Sequence, residues 1–495
     1  MVRIAAFYYA DRMGLTANSV QLKRRRTKIV ATLGPATADA ESIRRLVDLG
    51  VNVFRINMSH GTHDEYREVV QRVRSISDSG KEQVAVLADL CGPKIRVGRF
   101  AGGSTTLETD SSVIVTARKV EGGPTLIPSG HESLANDVKP GDRILIDDGR
   151  LELRVDSIDS LDVHCTVVIG GVLSDFKGMN LPDGELSVPA LTPKDHEDVR
   201  VACELDVDFI ALSFVCCAAD IEELRALLPS ESNRQIVAKI ERPQALENIE
   251  SILSVCDAIM VARGDLGVEM PPESLPGAQD ALVDLAHQHR KPVIIATQML
   301  DSMIRNPRPT RAEVADIAHA VQTGADALML SGETAVGAYP EATVEIMDLT
   351  IRHAEGRLWR EGAFESLTSS DHEATPTRVD IALGRSVSSL SRDLGIRMIL
   401  VVSRSGTTGR VLSASRPAAP VLAATADRRV CRQLGLCWGV VPIPVKPEEL
   451  ELPVVLLRRL AGSLGLAEAG QMGLIVRGFR TDPRENQPSV TVVTI

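Results

Sequence analysis

Lys239 and Glu241 flank one isoleucine, and a second acid closes the triplet Arg263-Gly264-Asp265. An amine beside two carboxylates can be no more than a pair of salt bridges, with Lys239 and Arg263 as the partners. The same carboxylates suit Mg2+, which takes few protein ligands and keeps positions for water and a substrate phosphate. Arg55, in Arg55-Ile56-Asn57-Met58-Ser59, brings a further cation. A divalent ion beside Lys239 and Arg55 favours a small molecule carrying both a phosphate and a carboxylate. Gly264 permits close backbone approach, so amides near Gly264-Asp265 offer a carboxylate site. The sequence has no GxxxxGK[ST] loop and no kinase-type GxGxxG. Gly332 to Gly337 has similar glycine spacing, but Ala338 stands where the lysine belongs. Phosphoryl transfer in this chain must therefore use side chains and metal.

Such residues need a scaffold that gathers them. Short β-branched runs, each followed by a helical segment, occur at 28–33, 51–58, 84–90, 209–214, 236–240, 258–262, 293–297 and 327–331. They lack strict alternation, as strands buried on both faces do. Eight β/α units predict a TIM (β/α)8 barrel, whose active site lies at the carboxyl ends of its strands. Those ends carry Arg55 to Ser59, Asp89, Ser213, Lys239 to Glu241, Arg263 to Asp265, Thr297, and Ser331-Gly332-Glu333. Any one alone reads as an ordinary strand-end residue. Seven polar ends out of eight point to a shared polar site.

About a hundred residues of different texture separate the third and fourth runs. Alternating or β-branched stretches at 112–116, 143–146, 151–155 and 163–169, with the hairpin signal Asp148-Gly149, predict a small inserted β-barrel domain over 94–189. On the catalytic face it would be a lid. The barrel then comprises 23–93 and 190–360, and a polar linker follows over 361–376. Strand-like runs at 398–403, 421–425, 440–445, 473–477 and 490–495 predict an open-sheet α/β domain over 377–495. Residues 1–22 are expected to be an N-terminal extension, with disorder or a start-site artefact as its two readings, and Lys23 to Arg26 a solvated lead-in to the first strand.

The chain has 495 residues, too many for one core. Its net charge of -11 argues against nucleic acid as a main partner. No apolar run reaches the roughly 18 residues of a membrane span. The eight cysteines show no CxxC pairing, which fits a reduced cytoplasm better than a zinc or disulfide framework.

Eight motifs, in order, carry a more specific resemblance. They are Lys28-Ile29-Val30-Ala31-Thr32-Leu33-Gly34-Pro35-Ala36, Phe54-Arg55-Ile56-Asn57-Met58-Ser59-His60-Gly61, Gly92-Pro93-Lys94-Ile95-Arg96, Lys177-Gly178-Met179-Asn180-Leu181-Pro182, Lys239-Ile240-Glu241, Met260-Val261-Ala262-Arg263-Gly264-Asp265-Leu266-Gly267, Ala296-Thr297-Gln298-Met299-Leu300 and Ser331-Gly332-Glu333-Thr334-Ala335. From about Lys23 to the C-terminus the chain resembles the pyruvate kinase family. The resemblance implies transfer of a phosphoryl group from phosphoenolpyruvate to ADP, giving pyruvate and ATP. It implies a barrel, a β lid and an effector-binding domain, assembled as a homotetramer. By matching position, Glu241 and Asp265 would hold Mg2+, with Mn2+ as an alternative. Lys239 would contact the transferring phosphoryl group and the enolate oxygen, and Arg55 would bind the phosphate. Thr297 and the Gly264-Asp265 amides would hold the carboxylate. His60, Arg96 and Lys177 would face the nucleotide phosphates. The proton donor to the enolate does not follow from the sequence.

Two departures sharpen the reading. Many family members bind K+ at positions matching Asn57, Ser59, Asp89 and the Leu90 carbonyl, and carry glutamate where Lys94 stands. This chain resembles the potassium-independent subgroup: an ammonium near Asp89 would supply the charge of the ion, so K+ is expected not to be required. The alternative is a surface lysine at the lid hinge. In the C-terminal domain, Ser403-Arg404-Ser405-Gly406-Thr407-Thr408 lies between a strand and a helix, where amides and hydroxyls can form a phosphate site. Members activated by fructose bisphosphate usually show Thr-x-Ser-Gly-Arg-Ser. Ser403 and Thr407 replace the Thr and Arg, which favours AMP or a sugar monophosphate as the activator over fructose bisphosphate. A plain capped loop is the alternative. Two other functions would use parts of the same pattern. A lyase of the phosphoenolpyruvate/pyruvate barrel group would need neither lid nor Lys177. A catalytically dead sensor would show erosion at Lys239, Glu241, Asp265 or Thr297, and none is seen.

Overall fold

A computed structural model describes residues 25–79, 83–184, 188–229, 231–367, 378–479 and 483–495. The extension expected at 1–22 lies outside the described residues, as does the linker from 368 onward. The first part of that linker, expected to be loop, is instead the end of the long helix Pro340–Gly362 and a short 3-10 turn, Glu365–Leu367.

Three strands open the fold: β1 (Lys28–Leu33), β2 (Val53–Asn57) and β3 (Ala85–Asp89). The chain then leaves to form β4 (Ser104–Leu107), β5 (Ser112–Thr116), β6 (Leu126–Pro128), β7 (Arg143–Ile146), β8 (Leu151–Asp159), β9 (Asp162–Ile169), β10 (Gly171–Ser174) and β11 (Met179–Asn180). It returns as β12 (Phe209–Leu212), β13 (Gln235–Ile240), β14 (Ala258–Ala262), β15 (Val293–Ala296) and β16 (Ala327–Leu330). The eight strands β1–β3 and β12–β16 close a barrel, parallel throughout. The excursion builds a six-stranded sheet in the order β11-β7-β8-β9-β5-β6 and a two-stranded ribbon of β10 and β4, around its own apolar core. The hairpin at Asp148-Gly149 is present, with Asp147, Asp148 and Gly149 all at positive φ.

Inside the barrel, the period-two rule explains both core and site. Val30, Val53, Leu87, Ala211 and Val237 share one buried interior cluster. Two residues further along the same strands, in the same inward phase, stand Thr32, Arg55, Asp89, Ser213 and Lys239. The barrel is thus filled with aliphatic side chains below and polar ones at its carboxyl end. Outside, helices such as Leu275–Gln288 and Arg311–Gln322 cover the strands with a larger apolar layer.

The C-terminal unit is a five-stranded sheet of β17 (Met398–Val402), β18 (Val421–Thr425), β19 (Val440–Pro444), β20 (Met472–Arg477) and β21 (Ser489–Thr494). Its order is β19-β18-β17-β20-β21, antiparallel only between β20 and β21, with a separate apolar cluster on each face.

This unit closes the amino-terminal end of the barrel. Leu436 packs into the same buried cluster as Val53, Leu87 and Phe209. Arg416 is fully buried, 2.9 Å from Asp326 Oδ1 just before β16, and it donates to the Gly324 carbonyl at 2.6 Å. Its guanidinium lies 4.9 Å from the Trp438 ring centroid and also meets His287. Burial pushes the Asp326 carboxyl up, but Arg416 and His287 outweigh it and hold it well below the usual carboxylate range. Lys28 Nζ donates to the Val440 carbonyl at 2.6 Å, and burial pulls that ammonium down to about 8.

Candidate active site at the barrel mouth

Lys239 is the hub of the polar layer. Its ammonium lies 2.8 Å from Glu241 Oε1 and 3.3 Å from Asp89 Oδ1, and it donates to Ser213 Oγ at 2.7 Å. Ser213 Oγ in turn donates a hydrogen bond to the Leu90 carbonyl at 2.7 Å. Arg55 Nε donates to Asp89 Oδ2 at 2.6 Å, and its Nη1 donates to Thr32 Oγ1 at 3.1 Å. Both cationic side chains are 12% exposed, while their carboxylate partners Asp89 and Glu241 are sealed.

Burial and charge compete at each group. Burial pulls the Lys239 ammonium down, yet Asp89 and Glu241 outweigh it and hold it above the ordinary lysine range. Burial pushes Asp89 up, and Lys239 and Arg55 reverse the direction, so Asp89 stays ionised. Glu241 is different. Burial raises it, Asp265 raises it further, and Lys239 together with the Phe214 amide only partly offsets them. Phe214 N donates to Glu241 Oε2 at 2.7 Å from a left-handed backbone, φ 56°.

Asp265 sits in the first turn of the short helix Arg263–Glu269 that follows β14. The pair Glu241 and Asp265 fits a divalent cation by its own chemistry: two carboxylates, one sealed and one part-exposed, with Asp265 disfavouring the charge on Glu241. Among the described residues, no group of three or more His, Cys, Asp or Glu forms a fuller metal cage.

The remaining expected residues divide into those brought together and those not. Thr297 and Gly264 meet directly: the Gly264 amide donates to Thr297 Oγ1 at 2.7 Å, and that hydroxyl donates to the Ala296 carbonyl at 2.6 Å. Thr297 and Gln298 both take left-handed backbone, φ 70° and 56°. Asn57, Ser59, Asp89 and Leu90 cluster at the ends of β2 and β3. Asn57 is in register with Asp89, Ser59 N donates to Asn57 Oδ1 at 3.1 Å, and the Leu90 carbonyl is taken by Ser213. Lys94 departs from expectation. Its ammonium lies 3.4 Å from Asp265 Oδ1, and the positive charges on Asp89 come from Arg55 and Lys239 instead. The reason is geometric: Asp89 is sealed by two inward-pointing cations, whereas Asp265 is open toward the hinge that carries Lys94.

His60 is exposed in the turn after β2, its carbonyl accepting from the Tyr66 hydroxyl at 2.7 Å. Arg96 and Lys177 lie on adjacent segments of the inserted domain, joined by an isolated antiparallel bridge between Arg96 and Gly178. Arg96 Nη1 donates to the Phe176 carbonyl at 2.9 Å, and Lys177 pairs with Asp147 at 2.7 Å. The lid is tied to the barrel by Asn180, which donates to Glu269 Oε1 at 2.9 Å, and by Arg242, whose Nη2 donates to the Leu181 carbonyl at 3.3 Å.

Sequence reading missed several supports. Asp195 accepts from the Cys91 and Gly92 amides at 3.0 and 3.2 Å, fixing the hinge beside Lys94. Its signal was present as the capping box Thr192-Pro193-Lys194-Asp195, which reads as a helix start and hides the second task. Thr32 and Arg263 carry no comparable local signal.

In the C-terminal unit, Ser403 to Thr408 form the expected loop into the helix Thr407–Ala414. Gly406 has φ 80° and its amide donates to Ser403 Oγ at 3.0 Å, while Arg410 Nη2 reaches the Ser405 carbonyl at 3.2 Å.

Comparison with known proteins agrees with this geometry. Residues 24–344 match the family model described as pyruvate kinase, barrel domain, and residues 382–492 match the pyruvate kinase alpha/beta domain. A pyruvate kinase of Corynebacterium efficiens is 46% identical over 416 residues, covering 84% of this chain and 86% of that one. One from Mycobacterium tuberculosis is 45% identical over 421 residues, with 84% and 86% covered. The crystal structure of a pyruvate kinase from Cryptosporidium parvum superposes with TM-score 0.88 at 32% identity, covering 96% of this chain and 97% of that one.

Proposed function

The chain belongs to the pyruvate kinase family and transfers the phosphoryl group of phosphoenolpyruvate to ADP, giving pyruvate and ATP; from that premise we propose how its barrel mouth performs the transfer. One observation carries the reading: the Lys239 ammonium is locked between Asp89 and Glu241, beside Arg55, at the carboxyl end of the barrel. An amine held above its ordinary pKa stays charged at working pH. Lys239 therefore acts as a fixed cation toward the transferring phosphoryl group and the enolate oxygen.

Arg55 binds the substrate phosphate from the neighbouring strand, with its fork steadied by Asp89 and Thr32. Thr297 and the amides at Gly264-Asp265 receive the substrate carboxylate. His60, Arg96 and Lys177 face the nucleotide phosphates, Arg96 and Lys177 arriving together on the lid. Glu241 and Asp265 would hold Mg2+ or Mn2+, which when bound supplies Lewis-acid charge to the phosphate and enolate oxygens.

Lys94 makes the site independent of K+. Positions Asn57, Ser59, Asp89 and the Leu90 carbonyl correspond to the monovalent site of other members. The support here is that Lys94 adds a fixed, hinge-borne cation to the same mouth, at a carboxylate of the metal pair. A pyruvate-release assay is expected to need ADP and a divalent ion, and to run at full rate in buffer free of Na+ and K+. A several-fold rise on adding K+ would overturn the Lys94 assignment, and activity without ADP would point to the lyase reading.

The loop Ser403, Arg404, Ser405, Gly406, Thr407 and Thr408 is the site of a phosphorylated activator, with AMP or a sugar monophosphate favoured over fructose bisphosphate. Open amides at the start of the Thr407–Ala414 helix support it. Titration of AMP, sugar monophosphates and fructose bisphosphate against sigmoidal substrate kinetics is expected to shift half-saturation only with a monophosphate. A flat response to all of them leaves the loop structural. The enzyme works in the cytoplasm as a homotetramer. All eight cysteines are free thiols, and Leu452, Val455 and Val492 of the C-terminal unit are exposed apolar groups suited to an assembly. Mass in solution, taken in the same titration, checks this.

A further inference from the structure

We infer that Arg263 is a positioning residue for Thr297, a role that rests on the reading of Thr297 above. Arg263 lies immediately before Gly264, yet its side chain reaches across to the next strand. Nη2 donates to the Thr297 carbonyl at 2.8 Å and Nε to the Ala296 carbonyl at 3.3 Å. Nη1 is 2.7 Å from Asp316 Oδ1 on the helix Arg311–Gln322, with Gln279 Oε1 at 3.4 Å on the helix Leu275–Gln288. One guanidinium, 10% exposed, thus anchors to two outer helices and grips two successive carbonyls at the end of β15.

Those carbonyls belong to an unfavourable backbone. Two successive non-glycine residues, one of them β-branched, hold positive φ at Thr297 and Gln298. Relaxing either residue would swing the Thr297 carbonyl and rotate the hydroxyl off Gly264 N. A planar fork with donors in fixed directions holds two carbonyls at once, and a lysine cannot reproduce that. The grip also sets what the hydroxyl does: in this structure Thr297 Oγ1 occupies the Gly264 amide that is assigned to the substrate carboxylate. When a carboxylate takes that amide, the hydroxyl is released toward the reacting centre at a position dictated by Arg263.

A double-mutant cycle tests this on the full-length enzyme with Mg2+. Arg263→Lys alone is expected to lower kcat about a hundredfold, the size of a misplaced catalytic contact. In a Thr297→Ala background the same change should cost less than about threefold, because the two act as one unit. Phosphoenolpyruvate KM and kcat are measured separately in all four proteins. Equal losses from Arg263→Lys in both backgrounds would overturn the proposal and make Arg263 a general scaffold residue. Near-normal turnover of Thr297→Ala alone would instead sink the Thr297 reading itself. If Arg263→Lys does not fold, Asp316→Asn frees the guanidinium from its outer anchor without touching the mouth. The same non-additivity with Thr297→Ala is then required.

Discussion

Lys239→Ala is expected to lower kcat by about three orders of magnitude, the upper range for losing one preorganised oxyanion partner. The variant should still fold, since the aliphatic barrel interior lies below the polar layer and is untouched. It should nevertheless lose roughly 3 kcal/mol of stability in metal-free buffer, because Glu241 stays buried and loses its only ammonium. Adding Mn2+ should restore part of that loss, since a divalent ion compensates the same carboxylate. Coupled assays of turnover and thermal denaturation with and without Mn2+ check both halves. Near-wild-type turnover would remove Lys239 from the chemistry, and an unchanged melting temperature would remove it from the charge balance of the mouth.

The second large effect lies at the other end of the barrel. Arg416→Ala should cost about 3–5 kcal/mol, the range for leaving one partner of a buried ion pair unmatched. The orphaned group is Asp326, which keeps only the Val293 and Trp438 amides and His287. The pH dependence follows from the depressed Asp326 carboxyl. A depressed acid stabilises the fold above its unfolded pKa and loses that contribution as pH falls through the folded value. The gap between wild type and Arg416→Ala should therefore be widest near neutrality and narrow below the ordinary carboxylate range. Urea denaturation across that range measures it. A gap that stays constant into acid would mean that Arg416 acts through packing on Trp438 and not through Asp326.

How far the sequence speaks for these sites depends on the distance over which each is built. Arg55, Asp89, Ser213 and Lys239 were legible because a strand's period carries the aliphatic inward phase straight into a polar residue. The barrel, the inserted sheet and the open C-terminal sheet were legible for the same reason: each is written in short runs a few residues long. Lys94 was placed in the right mouth but beside the wrong carboxylate. Its partner depended on Arg55 and Lys239 already sealing Asp89, a competition among four segments. Arg263 was named as a strand-end residue and, in the plainer alternative, as a salt-bridge partner of a neighbouring acid, while its contacts lie on β15 and two helices. Arg416 and Trp438 gave no sign at all, because their partners stand about a hundred residues earlier in the chain. Local pattern names the elements and their faces, and it does not say which long side chain outcompetes another for a distant partner.

The seating of Leu436 and Arg416 at the amino-terminal end has a consequence for biosynthesis. Every group assigned to phosphoryl transfer precedes residue 300, so a ribosome finishes the reactive half of the molecule early. The amino-terminal end of its packed apolar interior stays uncovered until the segment near residue 436 has emerged and docked. The nascent chain thus carries an uncovered apolar floor through the last stretch of its synthesis, and the C-terminal segment is what seals it.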